Sequence, residues 1–112
     1  MRLFTPLIAV CALGCGGAQA LQTDNSASAI RAAEEVGAAK VPRASLHLQL
    51  AKEEMDAAQK LAKSGDKEKA VSLLMRAEAD AELALVLAHE QIEKTEAARA
   101  VDRVRTLQTE TR

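Results

Sequence analysis

The amino-acid sequence predicts an all-α protein: a short helix followed by a long antiparallel helical hairpin, coiled-coil-like, with a turn of the tetratricopeptide type. Three observations carry this. The chain has one Phe, no Trp or Tyr, and 28% charged residues in 112, a mixture that favours helices around a thin core. Nowhere do Val, Ile, Thr or aromatic residues alternate with polar ones as a strand requires. Apolar positions on either side of Ser64-Gly65-Asp66 step by four and three: Ala44, Leu48, Ala51, Met55, Ala58, Ala62 before it, and Ala70, Leu74, Ala77, Ala81, Ala84, Ala88 after it. That stepping is the seam of a packed helix. Folding the chain at the turn sets Ala62 against Ala70, Ala58 against Leu74, Met55 against Ala77, Ala51 against Ala81, Leu48 against Ala84 and Ala44 against Ala88. One register satisfies every layer.

The chain begins with an address. Met1-Arg2 is a brief positive start, and Leu3 to Leu13 is apolar over about the length of a signal-peptide core. It falls short of the roughly 20 residues that span a bilayer. Ala12-Leu13-Gly14-Cys15 then resembles a bacterial lipobox, with Ala and Leu in swapped order. Residues 1–14 read as a lipoprotein signal peptide and Cys15 as the lipidated mature N-terminus. Each buried acyl methylene would contribute roughly 0.8 kcal/mol to membrane anchoring. Gly16 stands where an Asp would mark retention at the inner membrane of enteric bacteria, so the outer membrane, facing the periplasm, is the expected location. Ala18-Gln19-Ala20 offers a second cleavage site, before Leu21, which would release a soluble periplasmic protein instead. Cys11 and Cys15 are the two cysteines, so no disulfide framework is expected in the mature chain.

Residues 15–25 read as a flexible tether. Residues 26–90 form the helical-hairpin domain. Its first helix runs from Ser26 to Val36, with Asn25 or Ser26 as cap, Ala29, Ile30, Ala33 and Val36 on one face, and Gly37 as the stop. Three turns alone are marginal in water, so this helix must lean on the hairpin. Ala38 to Val41 links to Pro42, which fits the first turn of the second helix. Gly65 ends that helix and Asp66 caps the third. Lys60, Lys63, Lys67 and Lys69 crowd the hairpin tip and read as a solvated surface.

An alanine seam lets two helices approach closely and displaces larger side chains to the flanks. Leu46, Leu50, Leu61, Val71 and Leu73 fall there, with a dense run at Leu83, Leu85, Val86 and Leu87. Two readings stay open. The run is the inner side of a three-helix domain, or, with Ile92, it is a surface for a second copy or an envelope protein partner. No breaker interrupts Lys67 to Leu107, so the third helix outruns its partner. Residues 91–112 form a helical overhang with a thin apolar stripe at Ile92, Ala97, Ala98, Val101 and Val104, fraying from Thr106.

Catalytic signals are absent. The carboxylates lack a spaced nucleophile, the serines lack a hydrolase elbow, and there is no phosphate-binding glycine loop. His47, His89 and Glu93 could be imagined around a metal, but no ligand spacing fixes a geometry and surface histidines are the default. No cofactor, nucleic acid or small-molecule substrate is expected: the formal charge is −1, with neither a basic face nor aromatic stacking platforms.

Ala38-Ala39 and Pro42, then Leu50-Ala51, Ala58, Gly65-Asp66, Ala70, Leu74, Ala77, Asp80-Ala81 and Ala84 resemble small bacterial lipoproteins with an alanine-rich helical-hairpin domain of unknown function, the kind that in longer members precedes an OmpA-like domain. The resemblance covers residues 26–90. It implies a membrane-anchored, non-enzymatic protein and transfers one residue directly, Cys15. No OmpA-like segment lies within these 112 residues, so peptidoglycan binding is not carried over. The sequence therefore leads to a lipid-anchored envelope protein acting as structural element or adaptor through helix–helix contacts. A soluble periplasmic binding or chaperone-like module is the alternative.

Overall fold

A computed structural model describes residues 23–112. The apolar leader, Cys15 and its box, and the tether up to residue 22 lie outside them. The chain forms α1 (Thr23–Glu35), a 3-10 turn (Ala38–Lys40), α2 (Pro42–Lys63) and α3 (Lys67–Glu110). The described residues contain no strand.

The turns form where the sequence places them. Gly37 adopts φ 80° and closes α1 through its N–H to the Glu34 carbonyl at 2.9 Å. Pro42 occupies the first turn of α2. At the hairpin, Gly65 takes φ 93°; its N–H bonds the Ala62 carbonyl and the Asp66 N–H bonds the Leu61 carbonyl. These two bonds satisfy the Leu61 and Ala62 carbonyls at the end of α2, a role for which glycine is chosen because it has no Cβ to clash in the left-handed conformation. Asp66 then caps α3, its Oδ1 accepting from the Lys69 N–H at 3.3 Å.

The seam is the core. Ala44, Leu48, Ala51 and Ala58 of α2, and Ala70, Leu74, Ala77, Ala81, Ala84 and Ala88 of α3, are all buried. Met55 and Ala62 are only half-buried; both pack on the cluster nearest the turn, where the described part of α1 begins and cover is thinnest. Helix α1 lies along the hairpin, antiparallel to α2. Thr23 shares a shallow depression with Ala58, Ala62, Lys63 and Leu74 near the tip, while Glu34, at the other end of α1, pairs with Lys52. Ile30 and Ala33 point into the main cluster, flanked by Ala29 and Val36.

Two expectations are corrected. Thr23 to Asn25 belong to α1 rather than to a tether. Ser26 is an interior helical residue rather than a cap: it is fully buried, and its hydroxyl donates to the Leu74 carbonyl at 2.9 Å. A serine is well suited there because it brings α1 close to α3 and satisfies its own hydroxyl on a backbone carbonyl. The C-terminal stretch is helical as far as Glu110, and the Thr111 N–H bonds the Leu107 carbonyl.

Two outcomes follow from this packing. Ala84→Leu inserts bulk into a full layer and should destabilise the domain by about 1–3 kcal/mol, whereas Met75→Leu on the outer face, where Met75 is 67% exposed, should stay within about 0.5 kcal/mol; urea unfolding of the two variants gives the comparison. Ser26→Ala should cost about 1 kcal/mol by the same measurement, through loss of one buried hydrogen bond.

Candidate interaction surface

Helix α3 has two faces. At 100° per residue, the buried alanines cluster on one side and a second apolar row lies opposite. Val71, Met75, Leu83 and Val86 occupy that outer side beside the hairpin, and Val101, Val104 and Leu107 continue it along the overhang. Their exposures run from 42% for Val71 and Leu83 to 67% for Met75, with Val86 at 60% and Leu107 at 61%. Beyond Ala88, none of the residues to Arg112 is buried. Between Val86 and Val101 the row is interrupted by Glu90 and Glu93; a contiguous exposed apolar patch marks a contact site, whereas single exposed apolar residues are ordinary.

The residues proposed from sequence as a partner surface divide. Leu83, Val86 and Ile92 are exposed. Ile92 sits on the seam side, four residues past Ala88, where α2 no longer covers it. Leu85 and Leu87 are not part of a free surface. Leu87 is buried at the open end of the hairpin and borders Val41, Pro42 and Arg43 at the start of α2. Leu85 packs against the main core cluster. The reason is rotational: positions 85 and 87 fall to either side of the seam, within reach of neighbouring elements, whereas 83 and 86 turn away from it.

A polar chain ties α2 to α3. His47 Nδ1 and Asp80 Oδ1 lie 2.8 Å apart. An Arg76 guanidinium N–H donates to Glu54 Oε1 at 2.6 Å. His47 thus meets Asp80 rather than position 85, and it is not directed toward His89 and Glu93 as the imagined metal site would need. No group of three or more His, Cys, Asp or Glu side chains suited to a metal occurs among the described residues. Glu54 is the most constrained member of the chain. Its carboxyl is largely buried, its Oε2 has no hydrogen-bond partner, and burial raises its pKa, opposed by the Arg76 charge and reinforced by Asp80. At the surface, hydrogen bonding from Lys69 lowers the pKa of Asp66 while Asp66 raises that of Lys69. Lys94 lowers that of Glu90 through an i,i+4 bond at 2.5 Å. Sequence reasoning missed His47–Asp80, Glu54–Arg76 and Ser26–Leu74. The first two join flank positions whose pairing depends on the rotation of each helix about the seam, which periodicity alone does not set.

These features define a class: a three-helix, alanine-seamed domain carrying an unpaired helical arm. The chain belongs to the family described as domain of unknown function DUF4398, whose model matches residues 21–100. The match takes in all of α1, α2 and the first part of the arm. No curated protein and no solved structure matches the chain. Among the described residues no helix is long and apolar enough to cross a membrane.

Glu54 generates a pH-dependent outcome. A carboxyl whose pKa rises on folding is favoured as the protonated form, so the stability it contributes is present at acid pH and is lost as pH climbs from the ordinary carboxylate range through the raised value. Glu54→Gln keeps the shape without the charge. Thermal melts should show the variant above the parent at neutral pH and equal to it near pH ~4. A variant below the parent at neutral pH would show that the Arg76 pair outweighs burial.

Proposed function

We propose that this chain is a non-catalytic, lipid-anchored element of the bacterial envelope, held at the outer membrane and facing the periplasm, that acts as a structural or adaptor module through helix–helix contacts. The observation that carries the reading is the uncovered apolar face of α3, which continues past the end of the hairpin on an arm with no buried residue. A surface of this kind recruits another helix rather than a small molecule, since it is convex and has no enclosed pocket in which a substrate would be desolvated.

The lipid anchor is supported by the Ala12-Leu13-Gly14-Cys15 box, by the resemblance to hairpin lipoproteins, and by the way an anchor would combine with the fold. Thr23, the first described residue, packs near the hairpin tip beside Lys63. From Cys15 to Thr23 an extended chain reaches at most about 28 Å. An acylated Cys15 would therefore hold the tip toward the bilayer, with Lys60, Lys63 and Lys67 near the headgroups, and direct the α3 arm away from it. Lysines close to an anionic leaflet add attraction of about 1 kcal/mol each. The arm would then begin roughly 36 Å from the tip and end roughly 65 Å from it, at 1.5 Å per residue.

Expression of the full chain in a Gram-negative host, with and without Cys15→Ala, tests the reading through the mature mass and the membrane fraction. The expected result is an acylated product beginning at Cys15, with the lipid mass and the membrane association both lost in the variant. An unmodified soluble chain beginning at Leu21 would instead support the periplasmic binding or chaperone-like module that Ala18-Gln19-Ala20 allows.

A further inference from the structure

We propose that Glu54 and Asp80 share one proton, and that this proton fastens one flank of α2 to α3 as a pH-operated clasp. The proposal depends neither on the lipid anchor nor on the helix-contact reading.

In the seam register Glu54 stands level with position 78, between Arg76 and Asp80 on α3. It lies about 200° around α2 from Lys52, which takes Glu34 of α1 on the other flank. Arg76 donates to Glu54 Oε1 at 2.6 Å. The second oxygen, Oε2, is buried without a partner, and Asp80 stands within hydrogen-bonding reach of the carboxyl. Two carboxylates cannot bond each other, because an ionised carboxyl only accepts. A proton on Oε2 resolves this: its O–H donates to Asp80, and the orphaned atom gains an acceptor beside it.

Exposure decides which carboxyl holds the proton. The Glu54 side chain is 11% exposed and that of Arg76 67%. Water serves the guanidinium when Glu54 is neutral, whereas nothing serves a buried charge at Oε2. Asp80 is 23% exposed, and its Oδ1 faces His47 Nδ1 at 2.8 Å. As a carboxylate, Asp80 accepts from both sides, from Glu54 and from the Nδ1–H of His47. Protonation keeps the Arg76 bond, since the carbonyl oxygen of the acid still accepts. The two states therefore differ by one bond between the helices and one buried repulsion. The surrounding charges leave this balance intact. Burial acts first toward the neutral form of Glu54, Arg76 opposes it and Asp80 reinforces it. Asp24, Arg31, Glu34 and Glu35 of α1 and Lys40 of the 3-10 turn are exposed. Arg43, one turn before His47, acts on Glu90. Glu78 and Glu82 each lie about 160° around α3 from Asp80.

The test is a carbon-13 NMR titration of the glutamate carboxyls in the full chain in mild detergent, with Glu54 assigned from Glu54→Gln. The Glu54 midpoint should lie above that of free glutamate, fall toward it in Asp80→Asn, and rise further in Arg76→Gln. Thermal melts run alongside. A group whose pKa is raised on folding contributes stability that is complete at acid pH and lost as pH climbs through the raised value. The parent should therefore gain on Asp80→Asn as pH falls through the Glu54 midpoint. Asp66 and Glu90, held low by Lys69 and Lys94, act in the opposite sense, and comparison with the variant at each pH removes their share. A midpoint that Asp80→Asn leaves in place means that burial alone raises it, and overturns the shared proton. A parent midpoint at the free-glutamate value overturns it whether or not the variants fold. Parent and variant melts that stay parallel across the midpoint overturn the clasp.

Discussion

Close approach between α2 and α3 is the constraint on which the rest depends. Ala44, Ala51 and Ala58 on one helix, and Ala70, Ala77, Ala81, Ala84 and Ala88 on the other, are buried essentially to completion. Small side chains permit a short separation between helix axes. The cost is a thin core: among the described residues only Ile30, Leu48, Leu74 and Leu87 are both large and buried apolar side chains. With little side-chain area in the seam, stability has to come from continuous packing along its length and from whatever covers its flanks. Helix α1 supplies that cover on one side by bringing Ile30 and Ala33 onto the hairpin. A larger residue in the seam would separate the helices over several layers, because packed interiors do not yield locally.

The polar ties act on the angles that the seam leaves free. An alanine layer specifies distance well and rotation poorly, since one methyl group fits many neighbours. Ser26 donating to the Leu74 carbonyl fixes α1 along α3. His47 with Asp80, and Glu54 with Arg76, hold the opposite flank of α2 against α3. Glu34 with Lys52 joins the far end of α1 to α2. Exposed pairs of this kind add little stability individually, and the burial of Glu54 works against its own ion pair. Their contribution is to select one rotation of each helix among those the seam tolerates.

Much of this was legible in the sequence, and the gaps have physical causes. The seam residues emerged from three-and-four stepping because burial on one helix face leaves that trace directly. Gly37, Pro42, Gly65 and Asp66 were legible because left-handed φ, a missing N–H and a capping carboxylate each demand a particular residue. Ser26 was misread because a serine near a helix start has the same local appearance whether it caps or is buried; only the long-range carbonyl of Leu74 distinguishes the two. Leu85 and Leu87 were grouped with Leu83 and Val86 because they are adjacent in sequence, although successive residues point 100° apart. His47–Asp80 and Glu54–Arg76 required the rotation about the seam. On the candidate surface, Leu83, Val86 and Ile92 keep the exposure that the reading requires, while Cys15 lies outside the described residues and rests on its sequence motif.

An uncovered helical arm is a costly feature for so small a domain, and its persistence to Glu110 follows from the strong helix formers along it, Ala, Glu, Arg and Gln, with no glycine or proline to break it. The hairpin fixes where the arm starts and which way its apolar row faces; the arm offers the length over which another helix can bind. The central claim is that the alanine seam carries the stability of the domain and ends at Ala88. Backbone amide exchange on dilute protein tests it most directly. The account predicts slow exchange through α2 and through α3 from Ala70 to Ala88, falling within about one turn after His89 to fast exchange along the arm. Equal protection of residues 92–107 and 77–88 in dilute solution, or fast exchange throughout α2, would contradict it.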